Sequence, residues 1–121
     1  MTDPVTVPCA RCGGQVAEFS LLPPSTERNA SQHGLQRAGF MGLVTRFGEA
    51  QELGALLELI RTADYAAARG AVADFLAFHC WKCRRSYCQS CWKIGPPEFD
   101  DGFYDCTSAV CPEGHEQIVD D

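Results

Sequence analysis

Three cysteine pairs with two-residue spacers, Cys9-x2-Cys12, Cys80-x2-Cys83 and Cys88-x2-Cys91, constrain this chain more than any other feature, together with a fourth close pair, Cys111-Pro-x-Gly-His115. Two residues between cysteines let one tight turn aim both sulfurs at a single ion, with metal–sulfur bonds of about 2.3 Å. The four pairs supply eight donors of the kind zinc prefers, enough for two tetrahedral ions. Sulfurs so close in sequence make poor long-range disulfide staples, so eight cysteines in 121 residues read as metal thiolates rather than a disulfide framework. Iron in a four-cysteine site is the main competing metal.

The length fits one domain over residues 1–121 with a modest core of its own. Met1-Thr2-Asp3-Pro4 has neither the basic nor the apolar region of a secretory signal, and no stretch approaches a membrane span. The expectation is an intracellular, cytoplasmic protein. Formal charge is −6 with thiols counted as neutral; ligation by thiolates would bring the zinc-loaded chain to about −9. That balance disfavours general affinity for nucleic acid or anionic membranes.

The fold class expected is a small α+β zinc-binding fold: two structural sites, zinc knuckles and short strands, with an inserted antiparallel helical pair. A first knuckle occupies about 7–22. Gly13 and Gly14 follow Cys12 where the turn needs positive φ or close approach of backbone to metal. Ala17, Phe19 and Leu21 alternate with Glu18 and Ser20 as a strand over 16–22, stopped by Pro23-Pro24. A polar loop over 23–34 follows and contains His33, which is expected to face solvent. A helical insertion then covers about 35–79. Within it, periodicity does not decide 35–47 between helix and buried strand, because Gly39, Gly42 and Gly48 interrupt its apolar residues.

Leu53, Leu56, Leu57 and Ile60 form one stripe of a helix over 49–61. Thr62 or Asp64 can cap a second helix, whose stripe runs through Tyr65, Ala68, Val72, Phe75 and Leu76 to His79, with Arg69 and Asp74 on other faces. His79 reads as a packed or surface residue rather than a ligand. The zinc-binding region resumes over 80–119. Residues 80–97 contain no acid, and residues 98–121 contain no lysine or arginine.

Cys80-Trp-Lys-Cys83-Arg-Arg-Ser-Tyr-Cys88-Gln-Ser-Cys91-Trp92 resembles the RING and in-between-RING zinc domains of ubiquitin ligases, with Tyr87 at the aromatic position before the second pair. The in-between-RING spacing is the closer match. That resemblance implies sequential ligation, with Cys9, Cys12, Cys80 and Cys83 on one ion and Cys88, Cys91, Cys111 and His115 on the other. A RING cross-brace would instead pair Cys9 and Cys12 with Cys88 and Cys91, and Cys80 and Cys83 with Cys111 and His115. Cys106 is an alternative to His115 as the eighth ligand. We prefer His115, because Pro112 and Gly114 shape a turn that returns it to the metal, which leaves Cys106 a plain thiol. As a thioester-forming nucleophile Cys106 would need a base, and Asp105 beside it opposes ionisation.

Four protein donors per ion leave no open position for a hydrolytic water, so the zinc ions are expected to be structural and the chain to have no catalytic residues. Function then falls to surfaces. The resemblance implies a protein-interaction module, at most a ligase-like adaptor, that docks a conjugating enzyme or ubiquitin-like protein. Trp81, Lys82, Arg84, Arg85, Trp92 and Pro112 are the candidate partner-binding residues. Two other readings are a nucleic-acid-binding module using the basic aromatic cluster 81–93, in which cations reach phosphates and aromatics stack on bases, and a purely structural subunit. Against the nucleic-acid reading, Trp81, Tyr87 and Trp92 are better placed as walls of the metal sites, and the acidic C-terminal segment can offset Lys82, Arg84 and Arg85.

Overall fold

The fold is given by a computed structural model; it describes residues 3–24 and 32–120, and the side chains of these except at 69–74. It is mainly sheet. Strands β1 (Val5–Pro8), β2 (Gln15–Leu22), β3 (His33–Gly39) and β4 (Gly42–Gly48) form an antiparallel meander in the order β1-β2-β3-β4. The alternation expected of β2 holds in part: Ala17 and Phe19 are buried while Glu18 and Ser20 are half-buried, but Leu21 is half-buried too and Val16 is buried beside Ala17.

The undecided stretch is therefore a β-hairpin, and the helical insertion begins only after it. Gly39 and Gly42 pair across a two-residue turn, Phe40-Met41. Gly39, Met41 and Gly42 all have positive φ, at 110°, 56° and 93°, a conformation that glycine adopts without steric cost. A Cβ on Gly39 would also meet the Val16 carbonyl oxygen at 3.3 Å. These glycines build a turn rather than break a helix. The inward-facing position between Leu35 and the turn belongs to Arg37, which is why no apolar alternation marks this strand. Arg37 Nη1 donates to the Phe75 carbonyl at 2.9 Å, and its guanidinium lies 5.6 Å from the ring centres of both Phe40 and Phe75. Of the expected polar loop, residues 25–31 lie outside the described residues, and His33 is the half-buried first residue of β3.

Helix α1 (Ala50–Arg61) buries Leu53, Leu56, Leu57 and Ile60, as their spacing requires, against β1, β2 and β3. It ends in a Schellman turn: Asp64 N–H donates to the Leu59 carbonyl at 2.8 Å and Ala63 N–H to that of Ile60 at 3.0 Å, with Ala63 at φ +60°. Of the two candidate caps, Asp64 serves α2 (Tyr65–Val72), its Oδ1 accepting from Ala67 N–H at 3.3 Å. Thr62 turns back instead, its hydroxyl donating to the Glu58 carbonyl at 3.1 Å.

The second helix stops short of the expected end. A 3-10 turn (Ala73–Leu76) follows α2, and His79 lies in a short strand, β5 (His79–Cys80), paired with β6 (Arg85–Ser86). The carbonyls of 77–79 find partners outside any helix. Gln117 Nε2 donates to Ala77 and His79 at 2.9 and 2.8 Å, and Trp92 Nε1 donates to Phe78 at 3.1 Å. Ala68, Phe75 and Leu76 of the expected stripe are buried; the side chains of Arg69, Val72 and Asp74 lie outside the described set.

Phe19, Phe75, Phe78, Phe40 and Tyr65 meet edge to face or tilted in the core, with centroids 5.4–6.0 Å apart. The C-terminal part is a second small sheet. Strands β7 (Lys93–Ile94) and β10 (Glu116–Asp120) flank β9 (Phe103–Val110), and β8 (Glu98–Asp100) also pairs with β9.

Candidate metal centres

Four turns carry the eight candidate ligands, and the strands bring those turns together two by two. Cys9 and Cys12 sit in the β1–β2 turn, and Cys88 and Cys91 in the segment before β7; these four ligand atoms lie within 4.8 Å of one another. Cys80, the last residue of β5, and Cys83 in the β5–β6 turn meet Cys111 and His115 of the β9–β10 turn in a second group of the same size. First and third pairs share one cluster, second and fourth the other. This interleaving corrects the sequential ligation that the in-between-RING spacing implied. Only four residues separate Cys83 from Cys88, so neither of those pairs can fold back on the other; which distant turn each meets is decided by the sheets, to which ligand spacing is blind.

The separations match a tetrahedral metal. Sulfurs held at about 2.3 Å give S···S edges of about 3.8 Å, and S···N edges to an imidazole come to about 3.6 Å. In the first cluster Cys9–Cys91, Cys12–Cys88 and Cys88–Cys91 are each 3.6 Å apart at Sγ. In the second, Cys83 Sγ lies 3.7 Å from Cys111 Sγ, and His115 Nδ1 lies 3.7, 3.2 and 3.5 Å from the sulfurs of Cys80, Cys83 and Cys111. A disulfide would need about 2.05 Å, and all eight cysteines are free.

Backbone amides turn toward the sulfurs, as thiolates require. Gly14 N–H points at Cys12, Cys83 N–H at Cys80 and His115 N–H at Cys111, each with N···S of 3.4 Å. The two glycines of the first turn divide the work: Gly13 takes φ +76°, and a Cβ on Gly14 would stand 3.3 Å from Cys12 Sγ.

Ionisation within the clusters is uneven. Burial alone would raise the Cys9 thiol, but backbone hydrogen bonds at Cys12, Cys88 and Arg11 and the neighbouring Cys91 bring it down to about 6. Burial opposes Cys111 ionisation likewise, and hydrogen bonds at His115 and Glu113 lower it to about 7. Cys88 is lowered, first by the Ser90 hydroxyl 3.2 Å away. Burial and the surrounding sulfurs push Cys91 up to about 12 and Cys83 to about 11. Four sulfurs so close cannot all be thiolates unless a cation stands among them.

Tyr87 supplies an outer contact. Its hydroxyl is buried without a hydrogen-bond partner of normal geometry, yet it lies close enough to Cys83 to favour that thiolate, and burial pushes its own pKa up to about 12. Were Cys83 to ligate a metal, the protonated phenol would stand where it can support that thiolate.

Cys106 takes no part in either cluster. It is buried in β9, and its thiol donates to Glu98 Oε2 at 3.2 Å; that contact, burial and Asp105 push it up to about 11. Sequence reading anticipated Asp105 but not Glu98, which the β8–β9 pairing places opposite it.

The basic aromatic cluster comes apart on folding. Trp92 and Tyr87 are buried edge to face, 6.1 Å apart, and Trp81 is half-buried against His79. Lys82, Arg84, Arg85 and Lys93 are exposed. The acids of the C-terminal segment do not neutralise them: among the described residues none of these four cations forms an ion pair. Pro112 is half-buried on a shallow groove of about 380 Å3 that also touches Ala10, Arg11, Arg85, Tyr87 and Glu113, one wall from each cluster. No helix among the described residues is long and apolar enough to cross a membrane.

Fold and site together define a small, mainly-sheet domain with two interleaved four-ligand Cys/His clusters, each able to hold a metal ion. The chain belongs to the family described as Domain of unknown function (DUF8328), whose model matches residues 1–121; the match is to that family and not to a RING or in-between-RING family. No curated protein and no solved structure matches the chain.

Proposed function

We propose that both clusters hold structural zinc and that the loaded domain is a protein-docking module, with the groove between its two metal-bearing turns as the working surface. The observation that carries this reading is the interleaved ligation. It sets Ala10 and Arg11 of the first cluster beside Pro112 and Glu113 of the second, so one rigid surface depends on both ions. Zinc fits the donors better than harder cations, which prefer oxygen, and it would tie together four turns that are distant in sequence. All four positions of each ion are taken by protein, so the ions hold the surface rather than activate water.

A RING-type partner, a conjugating enzyme or ubiquitin-like protein, is the first to test. The groove departs from a ligase in chemistry, with Ala10 and Arg11 in place of large apolar anchors and Glu116 after His115, so an adaptor fits better than an activator of transfer. Burial of Trp92 and Tyr87 removes two of the three aromatics that a stacking platform would need, and the nucleic-acid reading gains nothing from the fold.

The test is metal content by mass spectrometry, followed by titration calorimetry of the zinc-loaded chain against a conjugating enzyme and a ubiquitin-like protein. A complex lost in an Arg11→Glu, Pro112→Glu variant that keeps two zinc ions is the expected result. Binding indifferent to that variant would dismiss the groove, and no binding at all would leave a structural subunit.

A further inference from the structure

A second concavity, of about 770 Å3, opens between the end of β1, the start of α2 and the β5–β6 turn, and touches the docking groove only at Ala10 and Arg85. Tyr65, His79 and Trp81 form its aromatic side: His79 packs tilted against Tyr65 and edge to face with Trp81, with centroid separations of 4.7 and 4.8 Å. His79 is 7% exposed; its Nδ1 is tied to Ser86 Oγ at 2.9 Å, and its Nε2 has no hydrogen-bond partner among the described residues. The basic side is Arg84 and Arg85, neither of which has an ion-pair partner among the described residues. One carboxylate, Asp64, also lines the space, with an oxygen already accepting the α2 amide of Ala67.

Arg84 is held there against its own backbone preference. It follows the second cysteine of its turn as Gly13 follows the second cysteine of the first, and the two turns close alike. Arg84 N–H donates to the Cys80 carbonyl at 2.8 Å, and Gly13 N–H to that of Cys9 at 3.0 Å. Both residues have positive φ, 58° and 76°. That conformation suits glycine and strains any residue with a Cβ. Where the first turn uses glycine, the second keeps a strained arginine whose side chain lines the cavity, the kind of local strain that collects at ligand sites.

We propose that this cavity binds a small planar aromatic anion, its ring against Trp81 and its carboxylate or phosphate held by Arg84 and Arg85. Paired guanidinium donors recognise either anion, and a concave, largely aromatic wall with a few polar groups is the usual form of a small-molecule site. His79 Nε2 offers the ligand a polar contact, as donor or acceptor according to its tautomer. Nothing in this site depends on a protein partner at the neighbouring groove.

Titration calorimetry of the zinc-loaded full chain would use adenosine 5′-monophosphate and 4-hydroxybenzoate, with adenosine and tetramethylammonium as controls. Saturable binding of at least one anion, at least tenfold tighter than adenosine, is expected, and the one that binds tells phosphate from carboxylate. Arg84→Gly should keep both metal ions, unfold no earlier than the parent, and weaken the anion at least tenfold. Arg84→Gln, which keeps the backbone strain but removes the charge, should weaken it likewise. The proposal is overturned if neither anion binds at millimolar concentration or if affinity survives both substitutions. It also fails if adenosine binds equally well, or if tetramethylammonium binds instead, which would make the aromatics a cage for cations.

Discussion

At the scale of single residues, most of the chemistry lies in sulfur, and neighbours decide what each sulfur does. Cys106 is raised as Cys83 and Cys91 are, but by carboxylates rather than by neighbouring sulfurs: Glu98 and Asp105 disfavour its thiolate and bring its pKa to about 11. At pH 8 it is then almost wholly the thiol. In zinc-loaded protein, alkylation of Cys106 by iodoacetamide should be slow at that pH, and Glu98→Gln should speed it several-fold; peptide mass spectrometry would read both. Gln117 has a role that no motif announced. Its amide serves two carbonyls at once, and Gln117→Leu would leave both unpaired, at a cost of about 2 kcal/mol measurable by denaturant unfolding at saturating zinc.

At the scale of elements, turns rather than helices or strands carry the design. α1 forms for the reasons its stripe gives, but the left-handed residue that ends it is Ala63, not glycine. Ala63→Gly should therefore raise stability by about 0.5–1 kcal/mol, seen as a higher denaturation midpoint with the zinc content unchanged. α1 was legible because it buries one face with a clean period, and β2 because Ala17 and Phe19 alternate with polar residues before Pro23-Pro24. The β3–β4 hairpin was not, since Arg37 takes an inward position and glycines needed for a tight turn look like helix breakers. The end of α2 was hidden for another reason: its apolar period runs on to His79, but side chains of Gln117 and Trp92, distant in sequence, capture the carbonyls that a helix would have used.

At the scale of the whole molecule, interleaving couples the two clusters. The stretch between Cys83 and Cys88 belongs to both, and Ala10 N–H in the first donates to the Ser86 carbonyl beside it at 2.9 Å. Native mass spectrometry should find two zinc ions in the parent and fewer than one in a Cys9→Ser, Cys12→Ser variant, because losing one site loosens the other; retention of a full single ion would mean independent sites. Protons compete with metal for every ligand, so affinity falls as pH falls. Cys9 and Cys111, at about 6 and 7 before metal binds, are already largely ionised just above neutrality. Zinc release, followed with a chromophoric chelator, should rise steeply below about pH 6. The sequence by itself determined the eight candidate donors, the preference for His115 over Cys106 among them and the stripe of α1, because two-residue spacers, short Pro-Gly turns and a 3.6-residue period act locally. Only the tertiary structure decided which turns share an ion, which aromatics are buried, and that Arg84 faces a cavity, because strand pairing brings together residues whose separation along the chain holds no trace of it.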